Sequence, residues 1–409
     1  MKAPIVIVGA SAAGVSAALS LRENGHEEGI VLLSAEDRLP YERPAVSKDI
    51  LLTGSAPLIV PEDTYQSQNI DLRLNSPVTS IRPKDGAIEL ANGQAIKASK
   101  ILLATGGKVR RLTVPGSDLP GICYARTTAD ADVIRSGLVP GAKVVVVGGG
   151  LIGAEVAASA ITAGCCVTWV EADYHCLTRA LYSPLNELMM SIHRERGVEI
   201  ETSATVTKVI GKDRAKGIEL ADGRQLYCDL LVVGIGIEPV VDLAKDAGAT
   251  VGNGVLVNQY CETTISNIYA AGDVALHKTS HMAQVGRLEH WHNAQKQGAA
   301  AAKSMLGQQE AYDDLPWFWT DQYEHHIEGC GISRPTDLAV VRTDGTNKSV
   351  TVFYLRSGVL AAATTLNRPN DVRAAMRFIA KGLTPDVHAL RDLSVDLRKL
   401  ERGLANERT

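Results

Sequence analysis

The sequence predicts an α/β protein with two Rossmann-like dinucleotide-binding domains and a small α+β domain at the C-terminal end. Two of the observations behind this prediction are glycine-rich turns that start at Gly9 and Gly148, each between a short apolar run and a helical stretch of small residues. The third is a tail with one helical segment, near 370–381, and strand-like runs over 338–341, 349–355 and 359–364. A chain of 409 residues is long enough for two or three domains.

The first turn follows a strand predicted over 5–8 and precedes a helix predicted to reach Asn24. Gly9 permits the tight turn, and Gly14 permits close packing of the helix on the strand. The N-terminal end of that helix offers free N–H groups and a positive dipole to a pyrophosphate. Because Ser11 stands where the pattern has its second glycine, this turn by itself also fits a structural turn without a ligand.

The second turn is complete, since Gly148-Gly149-Gly150-Leu151-Ile152-Gly153 follows a strand predicted over 143–147. The next strand ends at Glu171, about twenty residues further on, where an acidic side chain binds the adenosine ribose. Glu171 and Asp173 would repel a 2′-phosphate, so the sequence favours NAD over NADP. Two such units in one chain predict two dinucleotides, a nicotinamide and a resident flavin.

Composition and charge exclude several classes of protein. The formal net charge of −4 argues against nucleic-acid binding and a polybasic membrane anchor, and no apolar run is long enough to span a membrane. The seven cysteines form no C-x-x-C pair, which argues against a disulfide framework and a zinc site and favours the cytoplasm. Vicinal Cys165 and Cys166 are interpreted as small buried residues of a strand. No metal site is predicted, because ligand spacing is incomplete around four histidines: His290, His292, His325 and His326.

Three further strands end in short turns, which are Ala104-Thr105-Gly106, a turn ending at Gly236, and Gly272-Asp273. With these landmarks the sequence resembles the two-dinucleotide flavoproteins of the pyridine nucleotide-disulphide oxidoreductase superfamily, whose fold is glutathione-reductase-like. The resemblance runs from residue 3 to about residue 330. It implies that the A-T-G turn and the G-D turn belong to the FAD site, with Asp273 bound to the ribityl chain.

The redox cysteines of several branches of this superfamily are missing, which argues against thiol relay chemistry. Instead, P-Y-E-R-P-x-x-S-K over 40–48, P-W-F-W-T-D-Q-Y over 316–323 and E-x-W-x-N-A over 289–294 resemble NADH-dependent ferredoxin reductases. Those enzymes feed aromatic-ring-hydroxylating dioxygenases and some haem monooxygenases. A rubredoxin reductase, an NADH oxidase and a redox-sensing protein of the apoptosis-inducing-factor type remain alternatives.

The resemblance also implies roles for individual residues. Lys48 is expected at the reactive edge of the flavin and Glu155 beside it, as its ion-pair partner. Trp317 and Trp319 either lie on the electron path or seal a domain interface. The residues expected to bind FAD are Gly9, Ser11, Ala13, Gly14, Glu36, Arg43, Lys48, Val78, Ala104, Thr105, Gly106, Arg126, Gly272, Asp273 and Trp291. Those expected to bind NAD are Gly148, Gly150, Leu151, Ile152, Gly153, Glu155, Glu171 and Gly236.

One position departs from the family pattern. Relatives usually carry an acid for the FAD ribose at the position of Ala35, and here the acid is the next residue, Glu36. We expect Glu36 to take over the ribose contact; the alternative is that water fills this place.

The resemblance implies a discontinuous FAD-binding domain (1–110 and 244–315), an inserted NAD-binding domain (111–243) and a C-terminal α+β domain (316–409). The expected reaction is hydride transfer from NADH to FAD, followed by single-electron steps to a 2Fe–2S ferredoxin. The ferredoxin is expected to dock near the C-terminal domain and the flavin edge.

Overall fold

The computed structural model of the protein describes residues 2–346 and 348–406. The chain divides into two compact units. The first consists of the chain up to Pro44 together with Ala56–Lys108 and Ile237–Pro316. The second consists of Ala45–Ser55, Val109–Gly236 and the chain from Trp317 onward.

The helices and strands follow in chain order. Up to residue 109 they are β1 (Ile5–Val8), α1 (Ala12–Glu23), β2 (Ile30–Leu33), α2 (Asp49–Thr53), α3 (Asp63–Ser67), β3 (Ile70–Arg73), β4 (Val78–Arg82), β5 (Ala87–Leu90), β6 (Ala95–Lys97), β7 (Lys100–Leu103) and β8 (Gly107–Val109). Over 110–236 they are β9 (Ile122–Tyr124), α4 (Thr128–Gly137), β10 (Lys143–Val147), α5 (Leu151–Thr162), β11 (Cys166–Val170), α6 (Leu185–Glu195), β12 (Glu199–Glu201), β13 (Val206–Gly211), β14 (Ala215–Leu220), β15 (Gln225–Tyr227) and β16 (Leu230–Val233).

The second half of the chain continues this order. Over 237–316 the elements are β17 (Ile237–Pro239), α7 (Asp242–Asp246), β18 (Val251–Gly252), β19 (Gly254–Leu256), β20 (Ile268–Ala270), β21 (Ala275–Leu276) and α8 (Trp291–Met305). The last group is β22 (Trp317–Gln322), β23 (His325–Gly331), β24 (Leu338–Thr343), β25 (Val350–Arg356), β26 (Val359–Leu366), α9 (Pro369–Ala380), α10 (Val387–Arg391) and α11 (Leu397–Asn406).

The first unit is built on a parallel sheet with the strand order β20–β7–β1–β2–β3. Every residue of the central strand β1 is buried, as expected for a strand that is covered on both faces. Helices α1 and α8 pack closely, because Gly298 has no side chain to collide with the carbonyl of Ala13. Since parallel strands end at the same edge of a sheet, the turns after β1, β7 and β20 lie together.

The second unit contains another parallel sheet, with the strand order β12–β11–β10–β16–β9. Its central strand β10 buries Val144–Val147, and α5 packs against β10 and β11. Strands β13, β14 and β15 form a small antiparallel sheet in the same unit. The second glycine turn therefore lies at the carboxyl end of a central parallel strand, as the first one does.

The tail forms an antiparallel sheet with the order β22–β23–β26–β25–β24, against which α9 packs. Phe353, Tyr354 and Phe378 are among its fully buried side chains. The predicted strand-like runs correspond to β24, β25 and β26, and the predicted helix corresponds to α9. This tail is the small α+β part of the predicted fold.

One sequence prediction needs correction. Cys165 is buried but precedes β11, and Cys166, the first residue of that strand, is exposed. The pair is therefore not buried as a whole, because Cys166 pairs with the exposed Lys143 at the amino-terminal edge of the sheet. Among the described residues, no helix is both long and apolar enough to cross a membrane.

Candidate cofactor-binding and electron-transfer site

The first glycine turn forms a backbone cradle at the edge of the sheet in the first unit. Gly9 has φ +110°, a conformation that side chains rarely adopt. A Cβ at Gly14 would overlap the carbonyl of Gly9, so α1 can begin directly over the strand only with glycine there. Ala104 follows β7 beside this turn, and the Thr105 hydroxyl donates to the carbonyl of Val240 at 2.8 Å.

The Gly272-Asp273 turn lies beside the same cradle. A Cβ at Gly272 would come within 3.1 Å of the Ala13 side chain. The Gly272 N–H donates to Gln297 Oε1 at 2.8 Å, and Arg287 donates to the Asp273 carbonyl at 2.8 Å. Gln297 is fully buried, and its Nε2 finds no acceptor among the described residues. A glycine cradle with a buried unpaired donor at its side fits a phosphate- and hydroxyl-rich ligand such as FAD.

The carboxylate of Glu36 is held by two neighbours in the first unit. The Tyr41 hydroxyl donates to Glu36 Oε2 at 2.8 Å, and Arg43 donates to Oε1 at 2.6 Å. Burial lowers the pKa of the Arg43 guanidinium, but Tyr41 and Glu36 raise it above its ordinary value. Glu36 therefore orients Arg43, and an ionised carboxylate retains further acceptor sites for a ribose.

We expect a Glu36→Ala variant to release FAD more readily than the unaltered holoenzyme, because it loses a ribose acceptor and frees Arg43 at once. The measurement is the fraction of FAD retained after dialysis, followed by flavin fluorescence in the dialysate. Glu89→Ala, which removes an exposed carboxylate paired with Arg82, serves as the control. Equal retention in the two variants would remove Glu36 from the FAD site.

The other residues expected to bind FAD are divided between the two units. Ser11 is the N-cap of α1, Trp291 is the first residue of α8, and half-buried Val78 begins β4, all in the first unit. Lys48 and Arg126 belong to the second unit, where the Arg126 backbone N–H donates to Asp130. Apart from Lys48 and Arg126, all the residues expected to bind FAD therefore belong to the first unit.

The second glycine turn repeats the first. Gly148 has φ +113°, and a Cβ at Gly153 would overlap the carbonyl of Gly148. Gly150, the N-cap of α5, is different, because a Cβ there would meet nothing within 4 Å. The fold therefore leaves space over Gly150, where a pyrophosphate would lie on the N-terminal end of α5. Leu151 and Ile152 form the first turn of this helix.

Two further NAD candidates lie at the ends of neighbouring strands. The Glu171 carboxylate accepts hydrogen bonds from the backbone N–H groups of Gly149 and Asp173. It thereby lies against the glycine turn, where a ribose hydroxyl can reach it. Gly236, with φ +98°, follows β16, the strand adjacent to β10.

A buried charged pair in the second unit joins Lys48 to Glu155. Lys48 Nζ lies 3.5 Å from Glu155 Oε1, and the Glu155 side chain is 5% exposed. Ser47 donates to Oε2 and Thr320 donates to Oε1 at 2.6 Å. Burial raises the pKa of the Glu155 carboxyl, while Lys48 and the two hydroxyl donors oppose that rise. This carboxylate therefore depends on its donors to stay ionised.

Two tryptophans lie next to this pair on β22. The rings of Trp317 and Trp319 stack with centroids 5.3 Å apart, and Lys48 Nζ lies 5.9 Å from the Trp319 ring centroid. Lys48 also contacts Asp321 Oδ2 at 3.3 Å. The second unit thus places a cation, a buried carboxylate and two stacked rings in one cluster.

Sequence reasoning missed three members of this cluster, which are Ser47, Thr320 and Asp321. Ser47 precedes Lys48 in the same segment, and the other two follow Trp319 on the same strand. Their positions were inside segments already singled out, so proximity in the sequence was the available signal. Which of their atoms reach Glu155 could be learned only from the structure.

The cysteines and the possible metal ligands show no sign of a further reactive centre among the described residues. All seven are free thiols, and burial raises the pKa of Cys176, Cys261 and Cys330 to about 12. Thiolate is the reactive form, so these groups are inert. Within the described residues, no group of three or more His, Cys, Asp or Glu side chains could hold a metal ion.

Comparison with known families identifies the fold. The sequence profile of the family described as pyridine nucleotide-disulphide oxidoreductase matches residues 3–298, which contain both glycine turns. The chain belongs to this family. A second profile, described as reductase C-terminal, matches residues 317–401 of the tail.

Individual relatives span nearly the whole chain. The chain is 39% identical to the anthranilate 1,2-dioxygenase system ferredoxin–NAD(+) reductase component of Burkholderia cepacia, over 97% of this chain and 98% of that protein. It is 36% identical to a rubredoxin-NAD(+) reductase of Pseudomonas putida, over 89% and 96%. A chain in the crystal structure of the covalent putidaredoxin reductase–putidaredoxin complex superposes with a TM-score of 0.94 at 32% identity, covering 98% of this chain and 99% of that one.

These similarities confirm the predicted fold class and the prediction of an oxidoreductase flavoprotein that uses FAD and NAD(H). The sequence resemblance to ferredoxin reductases is confirmed as well. The domain boundaries and the roles of individual residues stay predictions.

Proposed function

We propose that this protein is an NADH-dependent flavoprotein reductase that passes electrons through FAD to a 2Fe–2S ferredoxin, which in turn feeds an aromatic-ring-hydroxylating dioxygenase or a haem monooxygenase. The observation that carries the proposal is the presence of two dinucleotide turns in a chain whose seven thiols are all unpaired. A disulfide relay has no place in such a chain. The relative of the anthranilate dioxygenase system supports the oxygenase connection.

The first unit would hold FAD through the cradle at Gly9 and Gly14, the A-T-G turn, Glu36 and Asp273. The pyrophosphate would then lie at the N-terminal end of α1, where the free N–H groups and the helix dipole would stabilise its charge. When bound, FAD accepts the two electrons of a hydride and releases them singly, which a one-electron cluster requires. The protein contributes position and electrostatics.

The second unit would hold NADH on the turn from Gly148 to Gly153. Glu171 would accept hydrogen bonds from the ribose hydroxyls there and would repel a 2′-phosphate, so NADH is preferred over NADPH. Lys48 would place its positive charge at the flavin edge, where it stabilises the negative charge that reduction creates. Glu155 holds Lys48 in place by its ion pair.

Trp317 and Trp319 are proposed to lie on the electron path toward the ferredoxin. Their stacked rings form part of the C-terminal sheet, and the tail from residue 316 carries a slight excess of basic residues. That excess suits an acidic ferredoxin and would mainly raise its association rate.

We also propose that the protein acts in the cytoplasm, because a reducing compartment keeps free thiols such as exposed Cys166 unoxidised.

Rapid mixing of the holoenzyme with NADH tests this function. We expect fast loss of the oxidised flavin absorption, followed by reoxidation only when a 2Fe–2S ferredoxin is added. NADPH is the matched control and should reduce the flavin far more slowly. A flavin that NADH does not reduce, or reduces only slowly, would contradict the proposal.

A second acceptor has a specific observation in its favour, the 36% identity to a rubredoxin-NAD(+) reductase. Cytochrome c reduction in the presence of either a 2Fe–2S ferredoxin or a rubredoxin separates the two functions. Higher kcat/KM with rubredoxin would make the chain a rubredoxin reductase. Rapid turnover with dioxygen alone would make it an NADH oxidase.

A further inference from the structure

A continuous chain of hydrogen bonds leads away from Glu155 inside the second unit. Thr320 Oγ1 lies 2.6 Å from Glu155 Oε1, and Gln322 Nε2 lies 3.3 Å from Thr320 Oγ1. His193 Nε2 lies 2.9 Å from Gln322 Oε1, and the Tyr323 hydroxyl lies 2.9 Å from His193 Nδ1. Three side chains from α6 and β22 thus connect the carboxylate to the Tyr323 hydroxyl in the turn after β22.

If Glu155 is ionised, the direction of every hydrogen bond in this chain is fixed. A carboxylate only accepts hydrogen bonds, so the single hydroxyl proton of Thr320 must point to Glu155. The Thr320 oxygen then accepts from the Gln322 amide, which leaves the Gln322 carbonyl facing His193. That carbonyl requires a proton on His193 Nε2, and the unprotonated Nδ1 accepts from Tyr323. All four donors therefore point toward the same carboxylate.

The surroundings suit such an arrangement. Thr320, Gln322 and His193 are at most 1% exposed. Burial lowers the pKa of His193 to about 4, so the ring is neutral at pH 7, as the bond directions require. Hydrogen bonds that all point the same way along a chain polarise and strengthen one another in a buried environment.

Charged groups face both ends of the chain. Lys48 and Asp321 face Glu155, and Asp321 opposes its ionisation. The charge of His325, when it is protonated, lowers the pKa of His193 further. At the outer end, the Arg196 guanidinium lies 5.0 Å from the Tyr323 ring centroid and pairs with Glu324. The amide of Gln322 cannot relay protons as a hydroxyl or an imidazole does, so the chain orients Glu155 and does not conduct protons to it.

We propose that Thr320, Gln322, His193 and Tyr323 form a polarised positioning chain that keeps Glu155 ionised and directed at Lys48, and so sets the lower pH limit of flavin reduction by NADH. The pH limit rests on the proposed function, whereas the chain itself does not. The four residues are positioning residues, because they act through Glu155.

The first test examines the hydrogen-bond chain by a measurement that does not depend on enzymatic activity. In the holoenzyme labelled with 15N-histidine, His193 should be the neutral Nε2–H tautomer at pH 7, with the signal assigned by a His193→Gln variant. Gln322→Met removes the carbonyl that requires this tautomer, so the ring should lose its single tautomeric state. Tyr354→Phe removes a buried hydroxyl of the same antiparallel sheet, bonded to Thr364 at 3.3 Å, and should leave His193 unchanged.

The second test uses the pH profile of flavin reduction. Glu155 must be ionised to pair with Lys48, so losing a donor raises its pKa and moves the acidic limb of the profile to higher pH. Thr320→Val should move it by about one pH unit, from the loss of one charge-assisted bond. Gln322→Met, one bond further away, should move it less, and Thr320→Ser should restore the original profile.

A protonated His193, an Nδ1–H tautomer at pH 7, or equal pH profiles for Gln322→Met and Tyr354→Phe would overturn the proposal. If NADH fails to reduce the flavin of the unaltered protein, the proposed function is wrong, and the tautomer alone then decides whether the hydrogen-bond chain exists. Should Thr320→Val fail to fold, the Gln322→Met profile and the His193 tautomer still distinguish the two outcomes.

Discussion

A Gly150→Val variant is expected to keep its fold and its FAD while the KM for NADH rises by about 100-fold. Gly150 has φ −81°, which valine adopts without strain, and a Cβ there meets no protein atom within 4 Å. The added side chain would occupy the space that the pyrophosphate needs at the N-terminal end of α5. Steady-state kinetics with NADH and the thermal midpoint of the holoenzyme measure the two effects separately.

Gly153→Ala is the matched comparison in the same turn. Its Cβ would overlap the Gly148 carbonyl, so this variant should lower the thermal midpoint as well as the affinity for NADH. The prediction for Gly150 is wrong if valine there destabilises the protein as much as alanine at Gly153, or if the KM for NADH does not change. Either result would mean that the space over Gly150 is not a nucleotide site.

A Lys48→Met variant is expected to slow flavin reduction by NADH by about two orders of magnitude and to destabilise the holoenzyme by about 3 kcal/mol. The rate falls because the cation proposed at the flavin edge is lost. The stability falls because Glu155, 5% exposed, keeps a charge without its cationic partner unless it takes up a proton. Rapid mixing with NADH and urea unfolding of the holoenzyme provide the two measurements.

The double variant Lys48→Met/Glu155→Gln separates the two effects. It should recover most of the lost stability, since no buried charge is left without its partner; Asp321, which also contacts Lys48, is 45% exposed. It should recover none of the lost rate. Arg82→Met, which breaks an exposed pair with Glu89, should cost at most about 1 kcal/mol. If Lys48→Met costs no more than Arg82→Met, the buried pair contributes no more to stability than an exposed one.

Local sequence patterns predicted the elements that carry the two cradles. The apolar runs of β1 and β10 are buried on both faces, and glycines follow each of them at the spacing that a helix over a strand requires. In the tail, the predicted strands and helix correspond to β24, β25, β26 and α9, whereas β22, β23, α10 and α11 were not predicted. Such features depend on interactions between residues that are near in sequence, which is why a pattern reveals them.

The cluster around Glu155 shows where that reasoning ends. The residue pair Lys48–Glu155 was expected from resemblance, but Ser47 and Thr320 were not, although both donate to its carboxylate. No role was predicted for His193 or Gln322. They lie 129 positions apart in sequence, and only the packing of α6 against the C-terminal sheet brings them together.

The sequence by itself therefore determined the fold class, the two dinucleotide turns and the absence of redox cysteine motifs, because each depends on residues that are close together in the sequence. The tertiary structure decided which donors contact Glu155, which atoms face Lys48, and that Gly150 faces open space whereas Gly153 does not. These properties depend on burial and on contacts between distant segments, and neither quantity is defined until the chain has folded.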